Sequence, residues 1–471
     1  MAVLFSFLND SVPRLSNYPC RSIGWASIIY FFLICLFVVT IPTLKAAEIP
    51  PLPEVATTEL PGDFSQVQFY LITVNVGNKV WDNFGHTALR VVDTNNNTDT
   101  VFNWGLFDTS GGLLRFSFNF FQGIMNYQLG TSSPQAEFDM YRGQARSVWQ
   151  DKVNLNNRQK EILYRRLMWN LQPGNIVYSY RYFDDNCTTR LRDYLDEALG
   201  GKISAANLDL TENTYRDLVK FHYNSLPPVK LGLDILMNGN IDRRISAWEE
   251  MFLPLSLRAR LAQLQSDVAV NGEQLPLLSQ SMVIMEFPSP SNQPDPYPIS
   301  LIVVALPALL LFLFVQKQSM SYFATHSRMT LGAPGFSYRI LALVAGLMCL
   351  ISGLFGVFML GGWFFSGHED LYSNINLLLF WPTDLLGVLV ALRWLVAAKP
   401  WPTNNNSAPF INYYMFARLI SLLAYGVVSG LGLAAQETRD VALFLAPGVL
   451  LLIILIWLVG FEPDRRSSMF L

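Results

Sequence analysis

The fold assignment of this chain depends on residues 184–199, DDNCTTRLRDYLDEAL, because this stretch contains Cys187. Read as a helix that begins near Asn186, it places Cys187 in the first turn and facing the core. A thiol at a helix start meets free backbone N–H groups and the positive end of the helix dipole, which lower its pKa. The stretch therefore predicts a nucleophilic cysteine. A small buried apolar residue is the alternative. The apolar residues that follow at helical spacing are Leu191, Tyr194, Leu195 and Ala198.

The composition indicates a membrane protein that carries a large soluble region. Of the 471 residues, 51% are hydrophobic and 15% are charged, whereas soluble proteins average about 25% charged residues. The hydrophobic excess lies in runs of membrane-spanning length, one near the start and five after residue 298. The net charge of −3 supplies no basic field, so nucleic acid is not expected as a partner.

The four cysteines, by their positions, exclude a disulfide and a thiolate zinc site in the soluble region. They stand at positions 20, 35, 187 and 349, so Cys187 has no second cysteine nearby in the chain with which to form a disulfide. A thiolate zinc site is excluded for the same reason. We expect no metal and no cofactor.

The chain divides into five parts. The first is a membrane anchor or a signal peptide, and its long polar lead and the sequence TLKAA before residue 48 favour an uncleaved anchor. The parts are residues 1–45 (anchor or signal peptide), 46–64 (spacer), 65–287 (mixed domain of strands and helices), 288–298 (proline-rich linker) and 299–471 (five transmembrane helices).

Within the mixed domain, alternating and β-branched sequences predict strands, and amphipathic sequences predict helices. The turn with three asparagines after residue 94 joins two strands into a hairpin, which places His86 and Asn103 on neighbouring strands. Residues 113–130 fit neither pattern. The predicted strands are 68–76, 86–92, 100–104 and 175–183, and the predicted helices are 156–171, 186–199, 211–223 and 241–265.

The charges between the apolar runs predict the orientation of the chain. Basic residues follow the first, third and fifth runs after the linker, whereas the other two loops are acidic. By the positive-inside rule the C-terminus is cytoplasmic and the mixed domain lies across the membrane from it. Asp384 is an acid well inside a run, which indicates either a functional group or a hydrogen-bonded structural one.

Two histidines of the mixed domain are available to Cys187, namely His86 and His222. A catalytic thiol needs a base within hydrogen-bond reach, and the base needs a third group that fixes its tautomer. His86 opens a strand beside Asn103, which has a suitable side chain for that third role. His222, at the end of a helical sequence, is interpreted as a surface or capping residue, and Asp185 as a cap of the cysteine helix.

Three motifs carry a family resemblance: WDNFGHTALRV around His86, VFNWG around Asn103 and DNCTTRLRD around Cys187. They resemble the circularly permuted NlpC-type branch of the papain-like fold, in which histidine precedes cysteine. Lecithin:retinol acyltransferase is similar in its Asn-Cys dipeptide. Together with DRRISAWEEMFLPLSLRARL, the motifs more closely resemble the periplasmic domain of Lnb-type lipoprotein N-acyltransferases of the bacterial inner membrane, over about residues 65–285.

The resemblance implies an α+β papain-like, permuted NlpC-type periplasmic domain followed by an all-α bundle of five transmembrane helices. It also implies that Cys187 is the nucleophile and His86 the base. An acyl chain would pass from a phospholipid through a Cys187 thioester to the N-terminal amine of a diacylglyceryl lipoprotein, beside the bilayer. Further candidates are Asn186 (oxyanion), Arg190 (phosphate headgroup), Tyr180 and Trp104 (acyl path), and His368 and Asp384 (membrane side).

Two other functions are compatible with the same residues. A membrane-anchored periplasmic cysteine peptidase or amidase acting on cell-wall peptides would use the same thiol chemistry on the same fold. A non-catalytic envelope binding protein would use the domain as a binding module. A transporter has only Asp384 in its favour.

Overall fold

The computed structural model describes residues 61–107, 112–290, 336–397, 400–403 and 407–461, with isolated residues between 298 and 313. The predicted anchor and most of the first apolar run after the linker lie outside the described residues. The described residues all belong to one compact unit, Glu59–Leu471.

The regular elements are numbered here in chain order. The strands are β1 (Val67–Val74), β2 (His86–Asp93), β3 (Thr98–Phe107), β4 (Asn126–Ser132), β5 (Val148–Val153), β6 (Val177–Ser179), β7 (Leu210–Thr214), β8 (Arg244–Ser246), β9 (Gln265–Val270), β10 (Glu273–Pro276) and β11 (Leu278–Met285). The helices are α1 (Gly112–Gln122), α2 (Pro134–Gly143), α3 (Asn157–Asn170), α4 (Cys187–Ala198), α5 (Lys202–Ala205), α6 (Tyr215–His222), α7 (Pro227–Leu236), α8 (Ala247–Glu250), α9 (Pro254–Leu261), α10 (Phe336–Phe365), α11 (Leu385–Ala397), α12 (Ser407–Gly430), α13 (Arg439–Phe444) and α14 (Ala446–Val459).

An antiparallel sheet of seven strands forms the centre of the mixed domain, in the order β11-β5-β1-β2-β3-β4-β6. The interior strand β1 contributes the fully buried side chains of Phe69, Leu71 and Ile72, which its β-branched and aromatic sequence favours. The predicted hairpin is confirmed, since β2 pairs with β3. Helix α4 packs against β2 and β3, so Cys187 comes to the strand that begins with His86.

Two helix predictions in this domain were wrong in part. The sequence of residues 211–223 forms strand β7 before α6, because Thr214 caps the helix through a hydrogen bond from the backbone N–H of Asp217. The predicted long helix of residues 241–265 is broken into β8, α8 and α9. Pro254 starts a new helix there, since proline is tolerated in a first turn but not in a helix interior.

Two other segments also differ from expectation. The predicted strand of residues 175–183 pairs with the sheet only over β6, Val177–Ser179. The unassigned residues 113–130 contain helix α1 and the beginning of β4.

The membrane part has fewer described spans than the five predicted. By length and composition, three helices can cross a membrane: Ala342–Phe365, Pro409–Gly430 and Arg439–Trp457. A fourth candidate is the pair Glu369–Leu378 and Pro382–Ala397, which is bent by 56°. Pro382 at the break lacks the N–H that would continue the first segment. The first predicted run lies mostly outside the part of the chain that the structure describes.

The mixed domain is joined to the membrane helices by hydrogen bonds and by apolar packing. The backbone N–H of Asn238 donates to Asp370 (2.7 Å) and Lys220 binds Asp440 (2.7 Å). Ile235 of α7 is buried in the same apolar cluster as residues of the spans. The loops after α10 and α12 therefore lie on the side of the mixed domain, as the charge pattern predicted for the two acidic loops.

Candidate active site

Helix α4 begins at Cys187, and Asn186 is its N-cap. The side-chain oxygen of Asn186 accepts hydrogen bonds from the backbone N–H groups of Thr188 (2.8 Å) and Thr189 (2.9 Å). Its side-chain nitrogen donates to two backbone carbonyls, those of Tyr182 and Phe252. Both polar groups of Asn186 are occupied, so in this structure it holds the helix start and does not point a donor at a substrate oxyanion.

Asp185 does not cap the helix, in contrast to the prediction from the sequence. Its carboxylate binds the guanidinium of Arg190 with both oxygens, at 2.6 and 2.8 Å. Arg190 also lies over the ring of Tyr178, at 3.7 Å from its centroid. The charge of Arg190 is thus already paired, which weakens the case for it as a headgroup ligand.

His86 and Asn103 meet on one face of the β2–β3 hairpin. The register pairs Ala88 with Asn103, so His86 is the diagonal neighbour of Asn103 on the same face. Nε2 of His86 lies 2.9 Å from Oδ1 of Asn103. Gly105 lies against the imidazole ring, where a β-carbon would come within 2.8 Å of Cε1 of His86. A side chain at Gly105 would therefore displace the ring.

Glu137 determines which way the amide of Asn103 faces. Nδ2 of Asn103 donates to both oxygens of Glu137 (3.2 and 3.3 Å), and the N–H of Gly105 donates to Oδ1 of Asn103 (2.8 Å). Because an ionised carboxylate only accepts, Oδ1 must face His86 and accept a hydrogen bond from the N–H at Nε2. The other ring nitrogen, Nδ1, is then available to the thiol of Cys187.

The contact between buried Cys187 and half-buried His86 shifts both pKa values toward the charged forms. Burial acts to raise the pKa of the Cys187 thiol. The charge and hydrogen bond of His86, with hydrogen bonds from the Thr87 backbone and the Thr188 hydroxyl, outweigh it and lower the pKa to about 7. Burial acts to lower the pKa of His86, but the thiolate of Cys187 and the charge of Glu137 raise it overall. The arrangement favours a thiolate beside an imidazolium.

An aromatic row leads away from the thiol. It consists of Phe107, Tyr127 and Tyr180: Tyr127 stacks on Tyr180 at 4.3 Å and on Phe107 at 4.9 Å between centroids. Burial raises the pKa of Tyr127 and Tyr180, and the negative charge at Cys187 raises both further. Their hydroxyls therefore stay neutral, and the row is an uncharged aromatic surface at the site.

Three further candidate residues are bonded to groups other than Cys187 and His86. Trp104 is fully buried and its indole N–H donates to Asn170 (2.8 Å), so it is a core residue. His368 donates from Nε2 to the carbonyl of Phe120 (2.6 Å). Asp384 binds Arg418 (2.9 Å) within the membrane part, which favours its structural interpretation over a transport role.

His222 is a buried histidine, and its interpretation as a surface or capping residue was wrong. Its Nδ1 lies 2.7 Å from the carbonyl oxygen of Asn83, and its ring packs on Phe84. Burial lowers the pKa of His222 to about 4 although the bond to Asn83 raises it. His222 supports the loop before His86 as a neutral ring.

Glu137 and Arg418 were not identified from the sequence. Glu137 lies on α2, which shows no motif that ties it to the hairpin. Arg418 had a usable signal, because a basic residue in the middle of an apolar run implies a paired partner. Among the described residues, no group of three or more His, Cys, Asp or Glu side chains is arranged to hold a metal ion.

The fold and the site define a mixed α/β domain that is joined to membrane helices and carries a buried cysteine and a buried asparagine on either side of a half-buried histidine. Residues 61–220 match the family model of the Lnb N-terminal periplasmic domain. The match covers about a third of the chain, and together with the apolar helices it indicates an inner-membrane protein whose mixed domain is similar to that periplasmic domain. The search of curated proteins and the search of solved structures returned no match.

Proposed function

We propose that this protein is a membrane-bound thiol acyltransferase. It moves an acyl chain from a phospholipid through a Cys187 thioester to the N-terminal amine of a bacterial lipoprotein. The observation that carries the proposal is the contact of buried Cys187 with His86, which Asn103 orients, in a domain that is hydrogen-bonded to the membrane part. The papain-like fold of the permuted NlpC type belongs to the same proposal, and the order of His86 before Cys187 supports it.

In the first half-reaction the thiolate of Cys187 attacks the ester carbonyl carbon of the phospholipid. The tetrahedral intermediate collapses by breaking the bond to the glycerol oxygen. That oxygen leaves with the proton that the imidazolium of His86 had held, so a lysophospholipid departs and the acyl group remains on sulfur as a thioester. His86 is neutral at the end of this step.

In the second half-reaction the α-amino group of a diacylglyceryl cysteine attacks the thioester carbonyl. Neutral His86 takes a proton from the attacking nitrogen, an amide bond forms, and the bond to sulfur breaks. The thiolate and imidazolium are restored. Asn103, held by Glu137, keeps Nδ1 of His86 directed at the reacting atoms through both steps.

Stabilisation of the oxyanion is assigned to the start of α4. The N–H groups of Thr188 and Thr189 are occupied by Asn186. The backbone N–H of Cys187 is the first-turn donor that we assign to the oxyanion, where the positive end of the helix dipole assists it.

Acyl-enzyme formation tests the proposal. The full-length protein in proteoliposomes that contain acyl-labelled phospholipid should retain label that hydroxylamine releases, and mass spectrometry should locate it on Cys187. Cys187→Ala should remove the label, whereas Cys349→Ala, which changes the cysteine in a span, should keep it. Cleavage of muropeptides without acyl-enzyme would instead identify an amidase and refute acyl transfer.

The acceptor needs a separate measurement. Mass spectrometry of lipoprotein N-termini, from cells with and without the protein, should show N-acylation only where the protein is present. Unchanged N-termini together with a labelled Cys187 would refute the lipoprotein acceptor and leave the acyl-enzyme standing.

A further inference from the structure

Helix α1, GLLRFSFNFFQ, carries large apolar side chains that the protein does not cover. The side chain of Phe118 is 54% exposed, and Phe120 and Ile124 are also exposed. Its one charged residue is Arg115, which is exposed as well. Phe120 also packs on the ring of His368, with 5.3 Å between centroids. Large apolar side chains left exposed on one short helix indicate an interaction surface.

The end of α1 is bound to the membrane part through its last carbonyl groups. These carbonyls have no partner within a helix. Here Ser366 donates to the carbonyl of Phe121 (2.6 Å), the N–H of Gly367 to Gln122 (2.9 Å), and Nε2 of His368 to Phe120 (2.6 Å). The loop directly after α10 therefore caps α1.

Gly123 makes this close contact possible. Its φ of +77° ends the helix in the left-handed region, where the N–H of Ile124 donates to Asn119 (2.9 Å). A β-carbon on Gly123 would lie 3.0 Å from the α-carbon of Gly367. The turn thus places the backbone of α1 directly against the end of a span.

The ring of Phe121 shows which part of the candidate span α1 contacts. It packs edge-on against Phe358, with 4.7 Å between centroids. Phe358 belongs to the candidate span Ala342–Phe365 and stands seven residues before its end. Seven residues of helix correspond to roughly 10 Å. The end of α1 is therefore beside the last turns of this candidate span.

We propose that α1 is an interfacial helix whose Phe118, Phe120 and Ile124 are immersed in the periplasmic leaflet of the phospholipid bilayer. An amphipathic helix of this kind lies parallel to the membrane with its apolar face about 5–10 Å below the headgroups. Arg115 extends its side chain to the phosphate groups, as basic residues do at this depth. The exposed apolar residues of α10 beside it, Trp363 and Phe364 among them, continue the same lipid-facing surface.

The position of α1 gives the site direct access to lipid, and this consequence rests on the proposed function. Strand β3 ends at Phe107 just before α1, and β4 begins just after it with Tyr127 close to its start. The backbone of Tyr180 is hydrogen-bonded to Met125, between α1 and β4 (2.8 Å). We assign to the aromatic row the path by which a phospholipid acyl chain would pass from α1 to Cys187, because Phe107, Tyr127 and Tyr180 are stacked and the charge at Cys187 reaches Tyr127 and Tyr180.

Spin-label accessibility tests the depth of α1 in the full-length protein. Phe118→Cys and Val270→Cys are placed in a variant whose native cysteines are replaced by serine, and each is labelled with a nitroxide. The protein is reconstituted, one copy per nanodisc, in phosphatidylethanolamine and phosphatidylglycerol. Val270 is the matched control because it is 52% exposed and lies on a hairpin whose neighbour Asp267 binds Gln159 and Lys202, both in the mixed domain.

The label at position 118 should collide with oxygen several-fold more often than with a water-soluble nickel complex, and the label at position 270 should show the reverse. Equal preference for nickel at both positions overturns the proposal. So does a label at position 118 that is shielded from both reagents, since that identifies a protein contact in place of lipid.

The two proposals fail separately. A lipid-immersed label at position 118 in a protein whose wild type forms no acyl-enzyme leaves the interfacial helix standing and refutes acyl transfer. An acyl-enzyme on Cys187 in a protein whose label at position 118 is in water refutes the interfacial helix and leaves acyl transfer standing. As a second readout, His368→Ala should lower the rate of acyl-enzyme formation from bilayer phospholipid several-fold more than the rate from a water-soluble short-chain ester. Equal losses on both donors would contradict the path from the leaflet.

Discussion

Cys187 is under two opposing influences, and their balance decides its chemistry. Its burial disfavours a charge and acts to raise the thiol pKa, whereas the adjacent His86 ring favours the thiolate. The result, a pKa of about 7, matches the range in which a thiolate is both populated and a good nucleophile. The Nδ1 atom of His86 stays available to the thiol because Asn103 and Glu137 fix the tautomer of the ring.

Glu137→Gln should raise the pKa of the Cys187 thiol, because the negative charge that favours the imidazolium of His86 is removed. The thiol is unreactive when protonated, so alkylation of wild-type Cys187 should rise with pH through a midpoint at about pH 7. In Glu137→Gln the midpoint should move upward, and the rate at pH 7 should fall several-fold. The measurement is iodoacetamide labelling followed by mass spectrometry of the Cys187 peptide.

Asp139→Asn is the matched control, since Asp139 lies on the same helix but is exposed and pairs only with the nearby Gln135 and Arg142. Its midpoint should equal that of the wild type. If Glu137→Gln left the midpoint in place as well, Glu137 would have no influence on the thiol.

At the scale of the element, the start of α4 both stabilises the helix and supplies a backbone N–H group to the site. The capping box formed by Asn186 and Thr189 fixes the start of the helix, and the same bonds leave the Cys187 N–H at the site. Asn186 also ties the helix start to two carbonyls of neighbouring loops. An asparagine suits this position better than aspartate, because it both accepts and donates and adds no charge beside the thiolate.

Asn186→Ala should lower the free energy of unfolding by about 1–2 kcal/mol through loss of the cap, measured by denaturation in mixed micelles. The buried carbonyls of Tyr182 and Phe252 would also lose their donor, which adds to the loss. Asn186→Asp should retain much of the cap but raise the midpoint of the Cys187 titration, because of its negative charge. A stability equal to the wild type in Asn186→Ala would contradict the capping role.

At the scale of the whole molecule, a buried network of charges stabilises the part of the mixed domain that meets the membrane helices. Arg216 is almost fully buried between Asp234 (2.9 Å) and Asp242 (2.5 Å). Asp242 in turn accepts a hydrogen bond from the N–H of Glu437, in the loop after α12 (3.0 Å). Helix α7, next to this network, inserts Ile235 into the apolar cluster of the spans. The orientation of the site toward the bilayer depends on these contacts.

Arg216→Met should lower the free energy of unfolding by about 3–5 kcal/mol, because two buried carboxylates lose their nearest cation, although Asp234 keeps Lys220 at 3.6 Å. Denaturation of the full-length protein in mixed micelles measures the change. Arg142→Met removes an exposed arginine that pairs with exposed Asp139, and it should change the free energy of unfolding by less than about 0.5 kcal/mol. Similar losses in the two variants would show that the network does not stabilise the junction.

The local patterns of the chain were sufficient to predict the helix that begins at Cys187, the hairpin that carries His86 and Asn103, and the side on which the acidic loops lie. Each of these depends on neighbours along the chain: a cap with helical spacing, two alternating segments with a turn between them, and charge next to an apolar run. The candidate pair of Cys187 and His86 also came from the sequence, because the mixed domain has one cysteine and two histidines.

The tertiary structure alone decided the rest, since it joins residues that no local pattern connects. Glu137 meets Asn103 across 34 residues, Asn83 binds His222 across 139, and Phe120 meets His368 across 248. Burial makes His222 neutral, and docking against the span keeps α1 at the depth of the lipid. A side chain's charge, partners and exposure are set by what packs around it, and that environment exists only when distant segments have come together.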